Sequence, residues 1–272
     1  MATAEIFTTI IPALAGILAG VVLGCGAVFV FNRIPVSWLT DYDGSSGEGA
    51  IDRSCPPSED AEKRNYDACD AGEESGGDKN SFFYRARIKE YPWKWVFSAT
   101  FAAAGIFLFE RDWQYALPAL VACFALLEIA LADMKYMIIP DQFVLLIVLC
   151  GIGFIPYTDS LRGMLFGALA GGGFMLVVAL LGRIIWRKEV MGFGDIKLFT
   201  ALGFVCGFHS VIIILIGTSL CSCIGYALGI LRGKIKKGDY CPLGPYIAAV
   251  SAVCILLGKG ILSQIAYALY GF

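Results

Sequence analysis

Two aspartates are the residues of this chain best suited to chemistry. Asp195 follows a pair of closely spaced glycines in "EVMGFGDIKLF" (189–199), and Asp133 lies in "LADMKYMIIPD" (131–141). The chain around them is 58% hydrophobic and only 16% charged, with a mean hydropathy of +0.71. A soluble domain carries about a quarter charged residues. Two carboxyls sharing a small, partly dry site cannot easily both ionise, so the pair holds a single proton. Its ionised member can take a proton from water while its protonated member polarises a carbonyl. Such a pair titrates as a unit and needs neither a metal nor a covalent intermediate.

The neighbours of the two acids suit that work. Gly192 and Gly194 flank Phe193, so the backbone before Asp195 can turn sharply or let an extended peptide approach closely. Lys197, Glu189, Pro140 and Asp141 are the further site-supporting candidates, with Pro140 placed to end or start a helix beside Asp141. Blander readings stand beside these. A lone acid at a helix end is an interfacial charge, Asp141 reads equally as a helix N-cap, and Glu110, Arg111 and Asp112 read as a solvated loop. Glu128 lies deeper in an apolar run, where an acid is costly, and fits a hydrogen-bonded structural role as well as a catalytic one.

Other chemistries find little support. His209 is the one histidine, which argues against a His-based metal site or triad. Of the ten cysteines, Cys123, Cys150, Cys206, Cys221, Cys223 and Cys254 sit inside apolar runs, where a thiol behaves as a small hydrophobe. Cys221-Ser222-Cys223 has the wrong spacing for a redox pair, and no basic patch suggests nucleic acid.

The elements that must position the acids are helices. The apolar residues fall in blocks at 6–31, 95–110, 113–132, 142–158, 161–186, 196–208, 211–231 and 243–270, which predicts an all-α, polytopic membrane protein of about eight spans. The block at 196–208 is short for a crossing, and the alternative joins 196–231 into one bent element; His209-Ser210 is the expected turn. Residues 1–31 read as a retained first span and 95–272 as the membrane core. Between them, 32–94 is polar, acidic and Gly/Ser-rich, expected to be flexible, with "YPWKW" (91–95) as an interfacial anchor. If 32–94 is cytoplasmic, every Lys and Arg except Arg111, Arg162 and Lys259 falls on that side. The N-terminus is then outside, and both aspartates lie at the cytoplasmic edge. They can meet if the third and sixth helices pack together.

These residues carry a resemblance. "VFNRIP" (30–35), "ADMKYMIIPD" (132–141), "RKEVMGFGDIKLFTALG" (187–203) and "CPLGPYIA" (241–248) resemble, in order, the signatures of the type IV prepilin peptidases, a branch of the GxGD membrane aspartyl proteases. The third stretch is the most specific. The resemblance implies Asp133 and Asp195 as the catalytic pair, a location in the bacterial cytoplasmic membrane, and prepilins or pseudopilins as substrates. Cleavage would follow the glycine that ends a basic leader, on the cytoplasmic side. No cofactor is implied for the peptidase. Many members also methylate the new N-terminus with S-adenosylmethionine, using a loop with two C-x-x-C pairs that resemble a zinc site. This loop has only Cys55 and Cys69, in no C-x-x-C pair, so a four-cysteine site cannot be built from it.

Three rivals remain open at this stage. A presenilin-like protease pairs its GxGD aspartate with Tyr-Asp and Pro-Ala-Leu; this chain has Ala132-Asp133 and "PLGP". A small ion- or proton-coupled transporter would use Asp133, Asp195 and Glu128, but its internal repeat is not visible. An inactive scaffold for pilus assembly has two intact aspartates against it. The sequence carries no sign of oligomeric state.

Overall fold

The computed structural model describes residues 2–34, 38, 90–158, 160–187, 191–233 and 241–270. Among them, all regular structure is helical. The helices are α1 (Ala2–Phe31), α2 (Glu90–Phe109), α3 (Trp113–Tyr136), α4 (Asp141–Gly153), α5 (Leu161–Trp186), α6 (Phe193–Cys206), α7 (Phe208–Leu231) and α8 (Gly244–Tyr270). A short 3-10 turn, Ile155–Tyr157, follows α4. Five helices contain stretches long and apolar enough to cross a membrane: Ile11–Phe31, Tyr91–Phe109, Trp113–Tyr136, Leu161–Ile185 and Phe208–Leu231. The protein is a multi-pass membrane protein. Most of the polar segment 32–94, with Cys55 and Cys69, lies outside the described residues.

Three expected spans are shorter than a crossing requires. The block at 142–158 forms a helix of only 13 residues, because the chain leaves the helix after Gly153 and tightens into the 3-10 turn. α6 has 14 residues, and α8 breaks at Gly258, where φ is 74°. The break between α6 and α7 is also not where the side chains suggest. It falls at Gly207, with φ 82° and ψ 176°, while His209 and Ser210 sit inside α7. Only glycine enters that backbone region freely, which fixes the break one residue ahead of α7 and rules out a single bent element over 196–231. Asp112 is no mere solvated residue. It caps α3 by accepting from the Gln114 N–H at 2.9 Å, and its other oxygen accepts from the Tyr157 hydroxyl.

Between lipid-facing helices there is no hydrophobic drive to associate, so close van der Waals packing must do the work. α1 packs along α2, and α5 along α6. α6 is the innermost element, flanked by α4, α5, α7 and α8, with Leu198, Phe199, Ala201, Leu202 and Val205 all buried. α3 packs on α4 and α8. It has no extensive contact of its own with α6 among the described residues. The expected pairing of the third and sixth helices is therefore indirect: α4 and α8 bridge them.

Candidate active site

Asp133 sits one turn before the end of α3 and is 7% exposed. The end of the helix is local. Met137 takes the left-handed conformation, φ 53°, and returns its N–H to the Asp133 carbonyl at 3.0 Å. The chain then runs through Ile138, Ile139 and Pro140 into α4. Pro140 is the N-cap residue of α4 and Asp141 its first residue, so Asp141 is not the cap. Proline ahead of the first turn lacks the N–H that would otherwise be orphaned, and Asp141 faces the positive end of the helix dipole. Its carboxylate instead receives the Lys197 ammonium at 2.7 Å, in a pair whose side chains are 40% (Lys197) and 59% (Asp141) exposed.

Asp195 lies in the first turn of α6, partly buried, with its N–H directed to the Gly192 carbonyl at 3.2 Å. Neither neighbouring glycine has a positive φ. Gly192 is an ordinary extended cap at φ −69°. The role of Gly194 is packing: a Cβ there would lie 3.0 Å from Ile139 Cβ. The two aspartate segments thus press together at Ile139 and Gly194 and are tied beside that contact by Asp141 and Lys197. Lys197 also stands 5.3 Å above the Phe193 ring, which is itself exposed. Of the two uses expected of these glycines, the structure shows a close approach at Gly194, made by Ile139 of the α3–α4 link.

This packing sets the two acids in electrostatic contact. Burial first, and the Asp133 carboxyl second, raise the Asp195 carboxyl to about 7. Burial is the larger cause, and the second places Asp195 within reach of the Asp133 charge. Gly244, which the sequence does not single out as a site residue, adds a main-chain contact to Asp133. Its N–H donates to Asp133 Oδ2 at 2.7 Å from the start of α8. The signal was present in "PLGP": proline at the second position of a helix marks a start whose free amides can meet an anion.

Two further candidates stand apart. Glu189 lies outside the described residues. Glu128 is fully buried, and neither of its carboxyl oxygens has a hydrogen-bond partner among the described residues, so the expected hydrogen-bonded role is not what the structure contains.

The model of the type IV leader peptidase family matches residues 120–228, a stretch that holds both aspartates. The prepilin leader peptidase/N-methyltransferase of Bacillus subtilis (strain 168) is 32% identical over 70% of this chain and 72% of its own length. Its counterpart in Pseudomonas aeruginosa (PAO1) is 30% identical over 68% of this chain and 64% of its own. That of Burkholderia pseudomallei (strain K96243) is 30% identical over 62% and 55%. No solved structure matches the chain. Similarity of this extent makes the chain a member of the type IV leader peptidase family.

Proposed function

We propose that this chain is a membrane aspartyl endopeptidase that removes the basic leader of prepilins or pseudopilins, with Asp133 and Asp195 as its catalytic pair. The observation that carries the reading is that the segments bearing these two carboxyls, remote in sequence, pack together at Ile139 and Gly194 in a member of the leader peptidase family. One carboxylate takes a proton from water, and the water oxygen bonds to the scissile carbonyl carbon. The protonated partner donates to the carbonyl oxygen. Collapse of the tetrahedral intermediate breaks the C–N bond, and a proton passes to the departing amine. Both acids reside at the end of the bundle that the Lys and Arg distribution assigns to the cytoplasm, in the inner membrane, within the core 95–272. Gly194, Pro140, Asp141 and Lys197 support the pair by holding the α3–α4 link against α6.

The relatives are also named N-methyltransferases, and that second activity is not proposed for this chain. The four-thiolate zinc site associated with it does not fit a loop whose cysteines are Cys55 and Cys69 alone. S-adenosylmethionine is a cofactor here only if that activity is present. The transporter alternative lacks a comparable footing, since the relatives are peptidases by name.

Co-expression with a prepilin, followed by mass measurement of the pilin, tests both points. The wild type is expected to remove the leader with no added methyl mass. Asp133→Asn and Asp195→Asn are each expected to leave the precursor intact; full processing by either removes the pair from the mechanism.

A further inference from the structure

Asp133 and Asp195 are not equivalent. The Asp133 carboxyl is held from outside its own helix by a main-chain donor, the Gly244 N–H, in a buried bond of 2.7 Å. Its main-chain carbonyl is occupied by Met137 at 3.0 Å. Among the described residues no corresponding amide donor reaches the Asp195 carboxyl; its own N–H is spent on the Gly192 carbonyl. The Asp133 contact also demands glycine. A Cβ on Gly244 would lie 2.6 Å from Asp133 Oδ2, 2.8 Å from its Cβ and 2.9 Å from its Cγ.

We propose that the Gly244 amide is a positioning group of the peptidase: it fixes the Asp133 carboxyl and makes Asp133 the water-activating carboxylate, leaving Asp195 to hold the proton of the pair. This rests on the reading of the pair given above and assigns each acid its part. An N–H directed at a carboxyl oxygen favours the charged form, and the bond is of the stronger, charge-assisted kind. With Oδ2 engaged by the amide, Oδ1 is the oxygen left to face a water. The donor belongs to the start of α8, where the helix dipole also favours a negative charge. Burial disfavours charge on both carboxyls; among the described residues only Asp133 has an amide donor to offset it, which leaves the proton on Asp195.

The other charged and titratable groups are arranged so that they do not supply this asymmetry. On α4 and α6, Asp141 and Lys197 neutralise each other at 2.7 Å. Beyond α1, Arg33 stands over the Phe29 ring. α2 carries Lys94 near its start, and α3 itself adds Lys135, Tyr136, stacked on Phe31, and Glu128, buried five residues before Asp133. The first turn of α8, Gly244–Ile247, has no charged side chain, and its one titratable group is the Tyr246 phenol, bonded with Cys241.

The test removes one hydrogen atom's worth of donor without adding bulk. Ligation at Cys241 of a synthetic segment 241–272, with glycolic acid in place of Gly244, turns the amide into an ester. The same ligation with ordinary glycine is the reference. Prepilin cleavage is then measured as kcat and KM across pH. The ester chain is expected to lose about 10- to 100-fold in kcat at neutral pH, with KM little changed. Losing the donor makes the Asp133 carboxylate harder to form, so the acid limb of kcat moves to higher pH. Gly244→Ala in the recombinant chain gives a second arm, with the same displacement of the acid limb. A kcat within about twofold of the reference, or a loss equal at every pH with an unmoved acid limb in both arms, overturns the proposal. If Asp133→Asn or Asp195→Asn cleaves at the wild-type rate, the pair itself fails whatever Gly244 does. If both are inactive and the ester chain is normal, only the role of Gly244 fails.

Discussion

Gly203→Ala should damage this protein out of proportion to the single methyl it adds. Gly203 lies on α6 against Gly167 of α5, and the two backbones touch. A Cβ at Gly203 would stand 2.6 Å from the Gly167 carbonyl carbon and 3.0 Å from the Ala168 nitrogen, and closer still to the Gly167 oxygen. Carbon atoms pack best at about 3.5–4.0 Å, so the helices must part by roughly 1 Å, which forfeits a quarter to a half of each contact along the seam. A backbone cannot swing aside as a side chain can, so the cost lies at the upper end for overpacking, about 3 kcal/mol. Alanine returns about 1 kcal/mol through helix propensity, leaving a net loss of about 2 kcal/mol. Gly173 on α5 is the internal control, since a Cβ there meets nothing within 4 Å. Gly173→Ala should be neutral or gain up to about 1 kcal/mol. Denaturant titration of the purified protein in one detergent, followed by tryptophan fluorescence, measures both variants. α6 also carries Asp195, and displacing a reacting group by about 1 Å can cost on the order of 100-fold in rate, so Gly203→Ala should cleave poorly even where it is folded. If Gly203→Ala proves as stable as Gly173→Ala, the reasoning from close backbone packing is wrong.

Other predictions follow from particular side chains. Glu128→Met should raise stability and leave cleavage intact, because it removes a buried carboxyl with no partner among the described residues; loss of cleavage with retained folding would give Glu128 a part in the reaction. A double-mutant cycle on Asp141→Ala and Lys197→Ala should give a coupling of about 0.2–1 kcal/mol that shrinks with added salt, since both side chains are well exposed; a larger, salt-independent coupling would contradict this. If Asp195 must hold the proton of the pair, kcat should fall as pH rises through about 7, where that proton is lost. A rate that keeps climbing well into the alkaline range would remove the requirement.

Much of this arrangement is legible in the sequence, and the parts that are not have physical reasons. The eight helices follow the apolar blocks, because a backbone in lipid has few ways to satisfy its own polar groups. Their ends are less legible. The turn between α6 and α7 was expected at polar His209-Ser210 and instead lies at Gly207, where backbone freedom outweighs polarity. The two aspartates stand out by their cost in an apolar chain, but the means of joining them does not. It runs through Ile139 against Gly194, the Asp141–Lys197 pair and the bridging helices α4 and α8, contacts that no local pattern announces. Gly244 is quieter still, because its contribution is a main-chain N–H that every residue but proline possesses. What is particular to glycine there is the missing Cβ, and only the fold reveals what that space holds.

The central claim, that Asp133 and Asp195 work as one unit, is tested most directly by initial rates of prepilin cleavage for Asp133→Asn, Asp195→Asn and the double variant, each purified and checked for folding. Groups that share one proton fail together, so all three should be inactive to about the same floor. A single variant that retains substantial cleavage, or a double variant whose loss is the product of two moderate single losses, would contradict the account.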